Sequence, residues 1–276
     1  MNVGISKPSA NADPGVKRET TGLWDEITGQ ASAAIRDDAS MESYLSCSIV
    51  EHSALQVALS KRLAAKLAEP AQSLVSLHEM FVELLTVEQV LSAVIQDLRA
   101  IVLRDPACSG VMAAFLNYKG FLALSAYRIS RQLWTVGRKP AALFLQSRVS
   151  EVWSVDIHPG AKIGSGIFID HGSGIVIGET AIVEDCVSLL HGVTLGGTGK
   201  HHGDRHPKVR RGVLIGAGAK ILGDIEIGEG ARIGAGSVVL ASVPPHCTAV
   251  GVPARIIPQP ASMTPALEME HSNWII

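Results

Sequence analysis

Two carboxylate–histidine neighbours, Asp156-Ile157-His158 and Asp170-His171-Gly172, are the residues of this chain best suited to moving a proton. An imidazole titrates near neutral pH, so it can take the proton of a hydroxyl as that oxygen attacks an acyl carbon. A carboxylate on the far ring nitrogen fixes the tautomer and stabilises the imidazolium that forms. Asp156 lies 15 positions before His171, and His158 is an equally valid base by residue type. A second cluster is the stretch Gly196-Gly197-Thr198-Gly199-Lys200-His201-His202-Gly203-Asp204-Arg205-His206-Pro207. Arg205 and His206 there offer adjacent donors for a carboxylate, the guanidinium in a bidentate manner. Asp105, in Arg104-Asp105-Pro106-Ala107, can meet an ammonium. It reads equally well as a helix N-cap with proline at the first helical position. The histidines His191, His201, His202 and His206 raise the idea of a metal site. No HxH or HxxxH spacing on a defined element supports one, and no metal is expected.

These groups must be held by a scaffold, and the scaffold announces itself as a period of six. Branched or small apolar residues recur at Ile157, Ile163, Ile169, Ile175, Ala181, Val187 and Val193, then at Val209, Ile215, Ile221, Ile227, Ile233 and Val239. A strand gives period two and a helix 3.6, so a sustained period of six needs a repeat architecture. The spacing predicts a parallel β-helix with three flat walls of six residues, about 18 residues per coil, its apolar residues filling the axis. On coils about 4.8 Å apart, Asp156 and His171 fall on adjacent turns. Val193 to Val209 spans one repeat plus ten residues with the phase kept on both sides, so the polar stretch is expected to be a loop that leaves the coil and returns to the same wall. Loops on a rigid scaffold are where binding groups concentrate. Small residues at Gly216, Ala217, Gly218, Ala219, Ala235 and Gly236 would let an extended ligand lie against the coil, or simply make tight turns.

Ahead of the coil, Leu55, Leu59, Leu63 and Leu67 recur every four positions before Pro70. Leu74, Leu77, Phe81 and Leu84, and then Leu91, Val94, Ile95 and Leu98, continue at helical spacing, and Lys119–Trp134 and Pro140–Val149 suggest a further helix pair. The expected layout is therefore α+β. A mobile tail occupies 1–38, an all-helical domain 40–150, a β-helix 153–257 with its loop at 194–208, and a short tail 258–276. A net charge of −2 leaves no basic stripe for nucleic acid. No apolar run is long enough to span a bilayer, and Met1 to Thr20 has no secretory core. Cys47, Cys108, Cys186 and Cys247 are scattered without a CxxC pair, which points to reduced thiols and a cytoplasmic protein.

With those residues in view the chain resembles the serine O-acetyltransferases, hexapeptide-repeat acyltransferases built on a left-handed β-helix. The resemblance rests on Val155-Asp156-Ile157-His158-Pro159, Ile169-Asp170-His171-Gly172, Val193-Thr194-Leu195-Gly196-Gly197-Thr198-Gly199-Lys200, Gly203-Asp204-Arg205-His206-Pro207, Arg104-Asp105-Pro106-Ala107 and Tyr118-Lys119-Gly120-Phe121. It implies transfer of acetyl from acetyl-CoA to L-serine, with His171 as general base and Asp156 as its carboxylate partner. Asp105 and Asp170 would meet the serine ammonium, and Arg205 and His206 its carboxylate. Coenzyme A would run between neighbouring coils of a trimer, past Gly197, Ala217 and Ala235, with Lys220 and Arg232 near its phosphates. The resemblance also implies a homotrimer or dimer of trimers, L-cysteine as feedback inhibitor, and capture of Ile276 by O-acetylserine sulfhydrylase. The chain departs from the family at Pro258-Gln259-Pro260, where members carry glycines after the segment here written Val252-Pro253-Ala254-Arg255. The competing readings are an acyltransferase for another hydroxyl or amine acceptor, a zinc-dependent carbonic anhydrase on the same coil, and a scaffold that only binds the sulfhydrylase.

Overall fold

A computed structural model describes residues 14–199, 202–258 and 264–269. Two compact units divide the chain, Met1–Ile95 and Gln96–Ile276. The first holds α1 (Pro14–Asp37), α2 (Glu42–Leu45), α3 (Leu55–Leu67), α4 (Leu74–Leu85) and the opening turns of α5 (Glu88–Arg104). The predicted stripe of α3 is buried at Leu55, Leu59, Leu63 and Leu67, and it packs on α4 through Leu77, Phe81 and Leu85. Ser73 caps α4 by accepting from the Ser76 amide at 3.2 Å. The expected tail over 1–38 is corrected only over its described part, Pro14–Asp37, which is the helix α1. Its Leu23, Trp24, Ile27 and Ala31 are buried on one face at helical spacing. Four buried apolar positions among twenty-four suffice because only a narrow stripe needs covering.

The second unit continues α5 and adds α6 (Val111–Asn117), α7 (Lys119–Thr135) and α8 (Lys139–Trp153). α7 is buried around most of its circumference because α8 lies on one side and the coil on the other. A buried ion pair ties these parts together. Arg128 reaches Asp97 of α5 with Nε at 2.6 Å and Nη2 at 2.8 Å, while Nη2 also donates to the Gly164 carbonyl at 2.7 Å. Asp97 in turn accepts from the Ile167 amide at 2.9 Å. The short α6 was not legible from spacing, since seven residues carry less than two apolar repeats.

The coil opens with β1 (Val155–Ile157), β2 (Lys162–Ile163) and β3 (Phe168–Ile169), followed by β4 (Ile175–Ile177), β5 (Ile182–Val183) and β6 (Ser188–Leu189). The third turn is β7 (Thr194–Gly196), β8 (Lys208–Val209) and β9 (Leu214–Ile215), and the fourth β10 (Lys220–Leu222), β11 (Glu226–Ile227) and β12 (Arg232–Ile233). β13 (Val238–Val239) and an antiparallel hairpin of β14 (Cys247–Gly251) and β15 (Ala254–Pro258) close the solenoid, before the short α9 (Pro265–Glu268). Every third strand pairs in parallel, giving walls β1-β4-β7-β10-β13, β2-β5-β8-β11 and β3-β6-β9-β12-β14.

The register corrects the expected phase. Asp156 pairs with Val176 twenty positions on, Val176 with Thr194 eighteen on, Thr194 with Lys220 twenty-six on, and Lys220 with Val238 eighteen on. The coil therefore gains two residues in the 170–174 turn and eight, not ten, in the later excursion. Each wall sends two residues inward, for example Ile175 and Ile177, or Val193 and Leu195, all buried. Ile157 stacks on Ile177 rather than on Ile175, so the period-six series crosses from one inward column to the other at the first insertion. Both columns are apolar, which is why the slip leaves no mark on hydropathy.

Candidate active site

The two-residue insertion falls on the turn that carries Asp170 and His171. His171 has φ +55°, in the left-handed region, and is followed by Gly172 at +76° and Gly174 at +75°. That backbone costs a non-glycine residue about 1–2 kcal/mol, so neighbouring structure must impose it. α7 does so: a Cβ on Gly120 would lie 2.2 Å from the Ile169 carbonyl, and one on Gly172 would lie 3.3 Å from the Gly120 Cα. Only glycine at 120 lets the helix start close on this turn. The His171 side chain is left 74% exposed, with Nε2 3.8 Å from Asp170 Oδ1, too far for a hydrogen bond. Its ring meets His191 of the next coil edge-on, with centroids 5.8 Å apart.

The α6–α7 junction brings Asp105 into the same neighbourhood. Asp105 Oδ1 accepts from the Ala107 amide at 2.8 Å, and Oδ2 accepts from the Tyr118 hydroxyl at 2.6 Å. The side chain bonds within its own turn but caps no helix, because α6 begins at Val111 with Gly110 at its N-cap, so the N-cap reading of Asp105 is corrected. Lys119, next in sequence, donates from Nζ to Ser173 Oγ in the His171 turn.

Asp156 points outward from β1, half-buried, and Gln146 of α8 donates to its Oδ1 at 2.7 Å. No hydrogen bond joins Asp156 to His171, so the expected dyad is not closed in this structure. His158 has a different occupation. Its Nδ1 accepts from the Gly160 amide at 2.9 Å, and its ring packs edge-on against Trp134 at 5.1 Å. Burial pushes its pKa down, against the pull of Glu179 and Asp156. A packed imidazole with an occupied Nδ1 is a structural residue, which leaves His171 as the base candidate.

Arg205 and His206 lie on a different edge of the prism. They precede β8, at the corner after wall β1-β4-β7, whereas His171 lies at the corner before that wall. His206 is only 6% exposed. Its ring lies on Gly178, where a Cβ would come 2.0 Å from Nε2. Nδ1 accepts from the Thr180 amide at 3.2 Å and meets Thr180 Oγ1 at 2.8 Å. An amide can only donate, so the neutral ring carries its proton on Nε2. Burial, then Arg205 and Lys208, hold its pKa below the ordinary value and keep it neutral. Arg205 pairs with Glu179 at 3.1 Å, and its amide donates to Thr180 Oγ1 at 3.1 Å. The loop base is pinned by Lys208, which bonds Asp204 and the carbonyls of Thr180 (3.1 Å) and His206 (2.7 Å). Gly178, Glu179 and Thr180 were missed in the sequence; the signal was a turn one coil below the excursion, directly under it.

Ala217 and Ala235 line the corner that carries His171, two and three coils further along, and Lys220 stands on the wall beside them. Lys220 Nζ donates to the Gly192 carbonyl at 2.5 Å and to Thr194 Oγ1 at 3.0 Å. Gly197 is at the other corner, where its added Cβ would lie 3.3 Å from Arg205 Cγ. Arg232 is corrected. It is 0% exposed on wall β3-β6-β9-β12, under α9, and donates to Glu268 at 3.3 Å. An arginine sealed beneath a helix is not presented to a phosphate. Of the histidines considered for metal, His191 and His206 stand on different edges and His201 lies outside the described residues. Among the described residues no group of three His, Cys, Asp or Glu is arranged to hold an ion. Ile276 also lies outside the described residues.

Known proteins resemble this chain in sequence and in fold. A family model for the serine acetyltransferase N-terminal region matches residues 23–126, and one for six bacterial transferase hexapeptide repeats matches residues 206–241. The chain is 50% identical to serine acetyltransferase of Salmonella typhimurium over 255 residues, covering 92% of this chain and 93% of that protein. It superposes on the Vibrio cholerae serine acetyltransferase crystal structure with TM-score 0.89 at 47% identity, covering 92% of this chain and 99% of that one. The soybean enzyme complexed with serine matches with TM-score 0.84 at 50% identity, over 87% and 99% of the two chains. The Brucella abortus enzyme in complex with coenzyme A gives TM-score 0.84 at 48%, over 86% and 96%. A serine acetyltransferase complexed with cysteine gives 0.88 at 47%, over 91% and 98%.

Proposed function

The chain belongs to the serine acetyltransferase family, and on that premise we propose how its residues divide the work. The reaction transfers the acetyl group of acetyl-CoA to the hydroxyl of L-serine, giving O-acetyl-L-serine and CoA, the first step of cysteine biosynthesis. His171 takes the proton of the serine hydroxyl as its oxygen attacks the thioester carbonyl. The tetrahedral adduct collapses, the C–S bond breaks, and the departing CoA sulfur receives a proton from the imidazolium. Asp156, with one oxygen held by Gln146, keeps the other for the His171 ring once substrate draws the turn inward. Asp105 and Asp170 take the serine ammonium. Arg205 and the Nε2–H of His206 take its carboxylate, which displaces Glu179 from Arg205.

The observation that carries this reading is the separation of the two groups. The base and the ammonium acceptors stand at one edge of the prism, the carboxylate donors at the other. One serine spans only a few ångströms, so the site is completed by a neighbouring copy whose Arg205 edge meets the His171 edge. A ring of three such heterologous contacts closes as a trimer, and two trimers can pair into a hexamer. The CoA chain then runs along the seam past Ala217, Ala235, Lys220 and the neighbour's Gly197.

Cysteine is serine with sulfur for oxygen, so the same ammonium and carboxylate clamps accept it as a feedback inhibitor. Ile276 offers a compact apolar side chain suited to capture by O-acetylserine sulfhydrylase. Cytoplasmic location accords with the four free cysteines. The test is thiol release from acetyl-CoA with serine, threonine, homoserine or no acceptor. Serine-dependent release supports the reading, and equal rates with every acceptor would sink it.

A further inference from the structure

Asp105 is placed by a residue that its motif does not contain. Tyr118 lies at the break between α6 and α7, with φ −85° and ψ 99°, and is half-buried. Its hydroxyl donates to Asp105 Oδ2 at 2.6 Å, while the Ala107 amide holds Oδ1 at 2.8 Å. A carboxylate has about four lone-pair sites, so two are taken and two remain to receive an ammonium. Burial and the adjacent Asp105 push the phenol's pKa up, so it remains a donor throughout the working range. The residues that follow Tyr118 are also tied to the base-bearing turn. Lys119 bonds Ser173, and Gly120 is closed against the Ile169 carbonyl.

We propose that Tyr118 is a specificity-determining positioning residue, whose hydroxyl holds the Asp105 carboxylate in the orientation that receives the amino group of the acceptor. The proposal rests on the reading of Asp105 as an ammonium site. A phenylalanine would fill the same half-buried space, so packing alone gives the oxygen no purpose; the oxygen's hydrogen bond goes to one of the two carboxylates assigned to the ammonium. Tyr118 touches neither serine nor CoA. It selects by fixing Asp105, so its influence reaches only acceptors that carry an ammonium.

The experiment compares Tyr118→Phe, Asp105→Asn and the double variant by thiol release at varied serine, with thermal melts to check that each is folded. 3-Hydroxypropanoate, which is serine without its amine, serves as a competitive inhibitor. Loss of one hydrogen bond to a charged group predicts a serine KM about tenfold higher in Tyr118→Phe. The kcat stays within about twofold and the acetyl-CoA KM is unchanged. Asp105→Asn raises the serine KM further, and the double variant is no worse than Asp105→Asn alone. The inhibition constant of 3-hydroxypropanoate does not move in Tyr118→Phe. An unchanged serine KM in Tyr118→Phe, with a raised one in Asp105→Asn, overturns the proposal and leaves the site reading intact. Additive effects in the double variant, or equal weakening of serine and 3-hydroxypropanoate, reduce Tyr118 to a packing residue and also overturn it. An unchanged serine KM in Asp105→Asn overturns the site reading itself.

Discussion

Replacing Gly178 by alanine tests the carboxylate-binding edge with a single methyl group. Gly178 does not have a positive φ, so alanine suits its backbone and the effect is confined to the added Cβ. That Cβ would come 2.0 Å from His206 Nε2 and 2.1 Å from Cδ2. Ordinary contact needs about 3.4 Å or more, so the ring must retreat by more than an ångström. The retreat breaks the Nδ1 bonds to the Thr180 amide and hydroxyl, at 3.2 and 2.8 Å. Each is worth about 1 kcal/mol, and the lost contact to a substrate carboxylate about 1.5–3 kcal/mol. Transition-state stabilisation falls by the latter amount, since the former belongs to the folded enzyme before substrate arrives. At 1.4 kcal/mol per decade this is about a ten- to hundredfold drop in kcat/KM for serine. The assay is thiol release at varied serine with saturating acetyl-CoA, alongside a thermal melt. The KM for acetyl-CoA should hardly change. A folded Gly178→Ala protein with wild-type kcat/KM for serine would refute the role assigned to His206.

Other perturbations follow from the same geometry. His171→Ala should lower kcat by about 10²–10⁴, the range of a lost general base, while isothermal titration still detects serine binding; normal turnover would remove His171 from the mechanism. Asp97→Ala leaves Arg128 buried without its carboxylate and should cost about 3–5 kcal/mol of stability in chemical denaturation; a loss under about 1 kcal/mol would mean that the pair is not the tie it looks to be. His158 and His206 both have folded-state pKa values lowered from 6.5, chiefly by burial. The unfolded chain then binds more protons as pH drops below about 6.5, so their stabilisation is complete above that pH and is lost on acidification. Melts between about pH 7.5 and 5.5 should show a falling Tm, reduced in slope by His158→Gln; a flat or rising Tm contradicts the assignment.

How much of this was legible in the sequence differs by element. The leucine ladder of α3 and the apolar series of the coil follow from periodicity, because burial in a helix or a three-walled prism repeats at a fixed interval. α1 was read as tail because its stripe of Leu23, Trp24, Ile27 and Ala31 is diluted among polar residues. The His171 insertion was hidden because two apolar columns run side by side, and a two-residue slip exchanges one for the other. Asp105, His171, Arg205 and His206 stood out through residue type and motif. Tyr118 stood in a motif without its role showing, and Gln146, Gly178 and Thr180 did not stand out, because each meets its partner across a separation in sequence that only the folded chain closes. Arg232 shows the converse error. The family resemblance placed it near the coenzyme A phosphates, but nothing in the repeat foretold that α9 would cover it.

The account turns on a site divided between two edges of the prism and completed by a neighbouring copy. Mixing His171→Ala chains with Arg205→Ala chains tests it directly. Each variant alone should be nearly inactive, since every interface lacks one member. After co-refolding at equal amounts, about a quarter of the interfaces should pair an intact His171 edge with an intact Arg205 edge, and serine-dependent thiol release should return in that proportion. Mixed assemblies that regain no activity above the separate variants would contradict the divided site.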